Sequence, residues 1–199
     1  MALILSLETS TPVCSVALHD DDKLVATAET HIDQSAATKL AVLIDDVKKL
    51  AGIEIEQLKA VVVTSGPGSY TGLRISTSTA KGLCYALNIP FISVSTLELL
   101  AFQMSNVTIE HSFLCPMIDA RRMEVYCLVS DHELSIRQSV EAKIIDETSF
   151  LEYLDERKVL FFGDGSEKCK NVIKHPNAFF VKNISPAASQ LGLLAHKKF

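Results

Sequence analysis

The 199-residue chain lacks a Cys-x-x-Cys pair, an excess of positive charge and any apolar run long enough to span a bilayer. Its five cysteines (14, 84, 115, 127 and 169) are odd in number and lie in or beside apolar segments. That pattern suits buried free thiols in a reducing cytosol. A formal charge of -5 argues against tight nucleic-acid binding by this chain alone, because such affinity rests on Lys and Arg neutralising phosphates. The opening residues, Met1 to Ser6, carry no basic region and soon reach Glu8, so they read as a strand and not a leader. A cytoplasmic protein that makes no membrane contact is expected.

Catalytic signatures are missing as well. The six histidines (19, 31, 111, 132, 175 and 196) never fall three or four apart, so no helix can turn two of them toward one metal. They are expected at the surface or its boundary. His-Glu-x-x-His and Gly-x-Ser-x-Gly are both absent, and Pro67 stands where a nucleophile elbow at Ser69 would need glycine. The residues therefore assign no catalytic group and no metal ligand.

With 48% hydrophobic and 22% charged residues, the chain can bury a substantial core in one large domain or two small ones. Period-two patterning predicts strands over 3–9, 13–19 and 23–30, with Asp20-Asp21-Asp22 as a solvated hairpin turn. A helix follows over 35–51. Its apolar positions recur at helical spacing, Asp33 or Ser35 can cap it, and Gly52 ends it. Next come a strand at 59–65, a glycine turn, a helix over 71–87, a strand at 89–94 and a helix from Ser95. The second half repeats the theme, with strands at 113–118, 123–130 and 133–144, a helix at 147–156, a strand at 159–162, and Gly163-Asp164-Gly165 before a further helix. Two α/β lobes are expected, 1–104 and 105–199, joined in the polar stretch from Met104 to His111. Mixed sheets of βββαβα order in two ribonuclease-H-like lobes are the plan of the actin-like ATPase and sugar kinase (ASKHA) superfold.

Between the strand Val61-Val62-Val63-Thr64 and the second helix lies Ser65-Gly66-Pro67-Gly68-Ser69-Tyr70-Thr71-Gly72. A glycine turn leading into a helix N-terminus can collect amide N–H groups around an anion. Gly66, Gly68, Ser69 and Thr71 are the candidate anion residues. The spacing fits neither standard nucleotide loop: five residues separate Gly66 from Gly72, Leu73-Arg74 replace Lys-Ser/Thr, and Thr71 occupies the dinucleotide motif's third small position. The turn is expected to shape the backbone, with anion binding as the alternative.

Two further features carry information. Asp119, Arg121, Arg122, Glu124 and Tyr126 form the densest polar constellation, readable as an ion-paired hairpin or as a charged wall of an interlobe cleft. Glu8, at the matching end of the first strand, joins Asp119, Arg121, Arg122 and Glu124 as a cleft candidate. The 71–87 helix bears a small-residue stripe, Gly72, Ser76, Ala80 and Cys84, and a semi-apolar face with Ile75, Thr79, Leu83 and Ala86. The first helix adds Ala37, Ala41 and Ile44. One sheet cannot bury both faces of a helix, so these residues are the candidate protein–protein interface.

The glycine turn, Asp119-Ala120-Arg121-Arg122-Met123-Glu124-Val125-Tyr126, Gly163-Asp164-Gly165, Leu5-Ser6-Leu7-Glu8-Thr9-Ser10, Ser93-Val94-Ser95-Thr96-Leu97 and Ser185-Pro186-Ala187-Ala188 occur in an order that resembles the TsaB (YeaZ) family. The resemblance covers essentially the whole chain. It implies the two-lobed actin-like fold and a part in making threonylcarbamoyladenosine beside the anticodon of tRNAs that read codons beginning with A. It also implies a related transferase, TsaD, whose His-x-x-x-His metal ligands align with Thr96 and Leu100 here. Leucine cannot ligate a metal, so the chain looks like the non-catalytic paralogue. TsaD would be bound through the two N-terminal-lobe helices, and the small ATPase TsaE would be a second partner. ATP and metal are expected in those subunits, with no cofactor on this chain alone. tRNA would be met through the complex, and the free chain is expected to dimerise through the same helices. Family members commonly continue into a tail beyond the last helix, whereas this chain stops at His196-Lys197-Lys198-Phe199. Ser35 stands where many relatives carry histidine. The alternative functions are an ATP-binding phosphotransferase of the same superfold and a metallopeptidase.

Overall fold

The computed structural model describes residues 2–32, 36–107 and 111–198. They form two units, one containing residues up to Leu99 together with those from Pro186 onward, the other running from Leu100 to Ser185.

In the first unit, strands β1 (Leu3–Glu8), β2 (Cys14–Asp20) and β3 (Lys23–Thr30) form the meander that alternation predicts. Helix α1 (Ala36–Ala51) leads to β4 (Ala60–Thr64), α2 (Tyr70–Leu87) and β5 (Phe91–Val94), and the chain passes to the second unit within α3 (Thr96–Ser105). The sheet order is β3-β2-β1-β4-β5. β1 is antiparallel to β2 and parallel to β4, with Leu5 opposite both Leu18 and Val61. Leu3, Leu5 and Leu7 share one face with Val16, Leu18, Val61 and Val63, and that face packs under Leu40 and Val47 of α1 and Ala80 and Cys84 of α2. Gly52 at φ 64° closes α1, as expected. The predicted α1 caps, Asp33 and Ser35, lie outside the described residues.

The second unit contains β6 (Phe113–Asp119), β7 (Glu124–Asp131), β8 (Ile136–Ile144), α4 (Leu151–Leu154), β9 (Val159–Phe162), α5 (Ser166–Cys169) and β10 (Ala178–Phe180). Its order, β8-β7-β6-β9-β10, repeats that of the first unit strand for strand. β7 is antiparallel to β6, and β9 is parallel to it. The duplicated meander with parallel additions is the actin-like, two-lobed α/β architecture. Cys115, Cys127, Val129, Phe161 and Cys169 meet in its core, where Phe161 stacks on Phe180 with centroids 5.1 Å apart.

Three expectations need correction. The second lobe does not run from 105 to 199, because α6 (Ala188–Lys198) packs on β1 and β2 of the first unit. It covers the sheet face opposite α1 and α2, burying Ala188, Leu191 and Ala195. The helix expected over 147–156 shortens to α4. His19 is not a boundary residue: it is fully buried on that same face, with Nε2 donating to the Ser189 carbonyl at 2.9 Å. All five cysteines are free and buried.

Candidate functional site

The glycine turn is held by the β1–β2 connection. Ser69 N–H donates to the Ser10 carbonyl at 2.7 Å, and Thr9 Oγ1 donates to the Gly72 carbonyl at 2.8 Å. A Cβ on Gly68 would fall on the Ser10 carbonyl, and one on Gly72 would fall on that of Thr9. These glycines therefore permit the backbone of the turn to lie against residues 9 and 10. Ser69 caps α2 by accepting from Gly72 N–H at 3.3 Å. Of the four anion candidates, Ser69 spends its amide inside the molecule, and its hydroxyl oxygen accepts the cap bond. Gly66 gives its carbonyl to Thr96 N–H at 2.9 Å. Thr71 is exposed at the start of α2.

Helix α2 has two small-residue rows at spacing four. The inner row, Gly72, Ser76, Ala80 and Cys84, is buried against the molecule's own sheet. Gly72, Ser76 and Ala80 consequently leave the candidate interface, since residues buried within the first unit cannot meet a partner. Ile44, Ile75 and Leu83 are half-buried against the same core, and Thr79 is half-buried. Ala37 and Ala41 are exposed on α1. Of the outer row, Ser78, Gly82 and Ala86, sequence marks only Ala86, as part of the semi-apolar face, although the row's spacing matches the inner one. All three are exposed, and open space lies beyond Gly82. Tyr70 and Tyr85 flank them at 75% and 92% exposure, and Val42 of the adjoining α1 is also exposed. Tyr70, Thr71, Arg74, Ile75, Ser78 and Thr79 line a shallow hollow of about 390 Å³, with the Arg74 guanidinium 5.3 Å from the Tyr70 ring centre.

The charged constellation divides. Glu8 is fully buried, so it presents nothing to solvent as a cleft wall would. Its Oε1 accepts from the Ser10 amide at 2.6 Å and from the Ser10 hydroxyl. Burial pushes its carboxyl above the usual range, and the hydrogen bonds oppose that shift. Asp119, Arg121, Arg122 and Glu124 lie together at the β6–β7 turn. Asp119 pairs with Lys168 of α5 instead of an arginine, and its Oδ1 also accepts from Arg121 N–H at 3.0 Å. Lys168 Nζ donates as well to the carbonyls of Arg121 and Glu124. Nothing in the sequence marked Lys168, which arrives from a different element. Asp164 accepts from Asp119 N–H at 3.0 Å, and burial raises its carboxyl. Asp119, Arg121 and Arg122 are exposed.

Chemistry of the other groups is muted. Burial pushes the Cys14 and Cys169 thiols up to about 11, which leaves both protonated at neutral pH. Thr96 and Leu100 are buried on α3. Among the described residues no cluster of three His, Cys, Asp or Glu side chains can hold a metal. No described helix is long and apolar enough to cross a membrane.

The family model for TsaD, tRNA N6-adenosine threonylcarbamoyltransferase, matches residues 30–172. The tRNA threonylcarbamoyladenosine biosynthesis protein TsaB of Bacillus subtilis is 31% identical over 174 residues, covering 86% of this chain and 75% of the relative. The solved structure of YeaZ from Pseudomonas aeruginosa superposes with a TM-score of 0.81 at 25% identity, covering 98% of this chain and 91% of that one. An activator of 2-hydroxyisocaproyl-CoA dehydratase from Clostridium difficile, solved with bound ADPNP, reaches a TM-score of 0.55 at 12% identity, with 99% and 94% covered. That last likeness is one of fold alone.

Proposed function

The chain belongs to the TsaB family of tRNA threonylcarbamoyladenosine biosynthesis proteins, and from that premise we propose that it is a non-catalytic subunit that binds and supports TsaD. The outward face of α1 and α2 is the contact surface. The observation that carries this reading is the outer row Ser78, Gly82 and Ala86 beside exposed Tyr70 and Tyr85. Small side chains let a partner helix approach the α2 backbone closely. Exposed tyrosines supply large contact area at low entropic cost, which is typical of interface anchors.

TsaE is the second protein partner in this reading, and ATP and metal belong to those partners. tRNA is reached through the assembled complex, which is cytoplasmic. In the free chain the same face pairs with a second copy, so homodimer and TsaD complex are mutually exclusive. Gly82→Arg tests the assignment, because its side chain projects into open space and leaves the core alone. Titration calorimetry with TsaD should give binding at least about thirtyfold weaker than wild type, the loss expected of a disrupted hot spot. Equal affinities would show that the contact lies elsewhere.

A further inference from the structure

The chain's arginines are Arg74, Arg121, Arg122, Arg137 and Arg157. Three have partners within the molecule. Arg74 lies over Tyr70, Arg137 reaches Asp131 at 3.2 Å, and Arg157 pairs with Glu156 while its guanidinium sits 4.6 Å from the Phe113 ring centre. Arg121 and Arg122 differ. Both are exposed, and among the described residues no hydrogen bond, ion pair or ring contact engages either guanidinium.

Their backbone is also unusual. Arg121 and Arg122 stand at φ 70° and 46°, the left-handed region that Asn and Gly adopt most cheaply. The turn is nonetheless well anchored. Ala120 N–H donates to the Glu124 carbonyl at 3.1 Å, the Met123 carbonyl accepts from Ile145, and Lys168 clamps the carbonyls of Arg121 and Glu124. Of the two acids at this turn, Asp119 is paired with Lys168, and Glu124 is half-buried at the start of β7. An anchored turn thus holds out two adjacent guanidinium forks that, among the described residues, no carboxylate engages.

We propose that Arg121 and Arg122 are a phosphodiester clamp for the tRNA on which the complex acts, an inference that rests on the tRNA role proposed above. Planar forks bind phosphate oxygens in pairs, and preorganisation lowers the ordering cost of capture. With a net charge of -5, any hold of this chain on RNA has to be local, because its overall field does not attract RNA.

The test uses the full chain assembled with TsaD. Arg121→Asn/Arg122→Gly removes both charges while supplying residues that suit the positive φ values, so the hairpin is retained. Affinity for an unmodified tRNA is measured across a salt series for wild type and variant. The variant should bind about tenfold more weakly or worse, and its salt dependence should fall by about one unit of slope per lost phosphate contact. Association with TsaD should be unchanged. Unaltered affinity and slope would overturn the clamp while leaving the scaffold reading intact. Lost TsaD association with normal tRNA binding would overturn it in favour of carboxylates on a protein partner. A wild-type complex that binds no tRNA would overturn both readings.

Discussion

Glu8 ends β1 with its carboxyl enclosed, one oxygen bonded to Ser10 and Oε2 buried without a hydrogen-bond partner. Burial is the largest influence on it and raises its pKa above the usual value of 4.5. The folded protein therefore holds this proton more tightly than the unfolded chain does. The stability that comes from holding it is full below about pH 4.5 and is lost as pH rises through the folded value. Glu8→Gln keeps an acceptor for Ser10 and cannot ionise. Urea midpoints from about pH 4.5 to 8 should show the variant gaining on wild type as pH increases. A variant that loses ground steadily over that range would mean the carboxylate is stabilised in place. Glu8 could be identified as a candidate from its position after an apolar strand. Its burial could not, because solvent access at a strand end depends on what the rest of the chain lays over it.

Helix α2 carries two mid-sequence glycines with opposite roles. Gly72 lies so close to the Thr9 carbonyl that a methyl group cannot fit, whereas nothing lies within 4 Å of a Cβ at Gly82. Gly72→Ala should cost about 1–3 kcal/mol by forcing backbone apart, and Gly82→Ala should gain roughly 0.5–1 kcal/mol from helix propensity. Denaturant unfolding of both variants checks the contrast. Similar effects of one sign would show that the turn does not pack on Thr9. Element positions were legible because alternation and helical spacing are local properties. Residues 23–30, 71–87 and 159–162 fall within a residue or so of the observed elements. The buried face of α2 was harder to read: small residues recur every four positions on both sides, and only contact with β4 distinguishes them. β10 left no periodic signal over three residues, and pairing with β9 makes it a strand.

At the scale of the whole molecule, the last helix completes the first unit. Ala188 N–H donates to Ser15 Oγ at 3.0 Å, and His19 Nε2 donates to Ser189. His19 Nδ1 is buried without a partner, and Gly192 lies so close that a Cβ there would meet the ring. Burial lowers the His19 pKa, with the Ser189 carbonyl opposing the shift. Stability from keeping this ring neutral is complete above about pH 6.5 and is lost as pH falls through the depressed value. His19→Gln retains a donor for Ser189 and should remove that component. The stability difference between wild type and variant should shrink from about pH 7.5 to 5.5, as read by urea midpoints. A constant difference would show that His19 does not titrate on unfolding.

Spacing along the chain carries the strand and helix pattern, the duplicated order of elements, the buried thiols and the family motifs. Tertiary structure alone decided which row of α2 faces outward, that Lys168 and not an arginine holds Asp119, and that residues from 186 onward return to the first unit. Those outcomes depend on contacts between segments far apart in sequence. Their energies appear only once the backbone has brought the segments together.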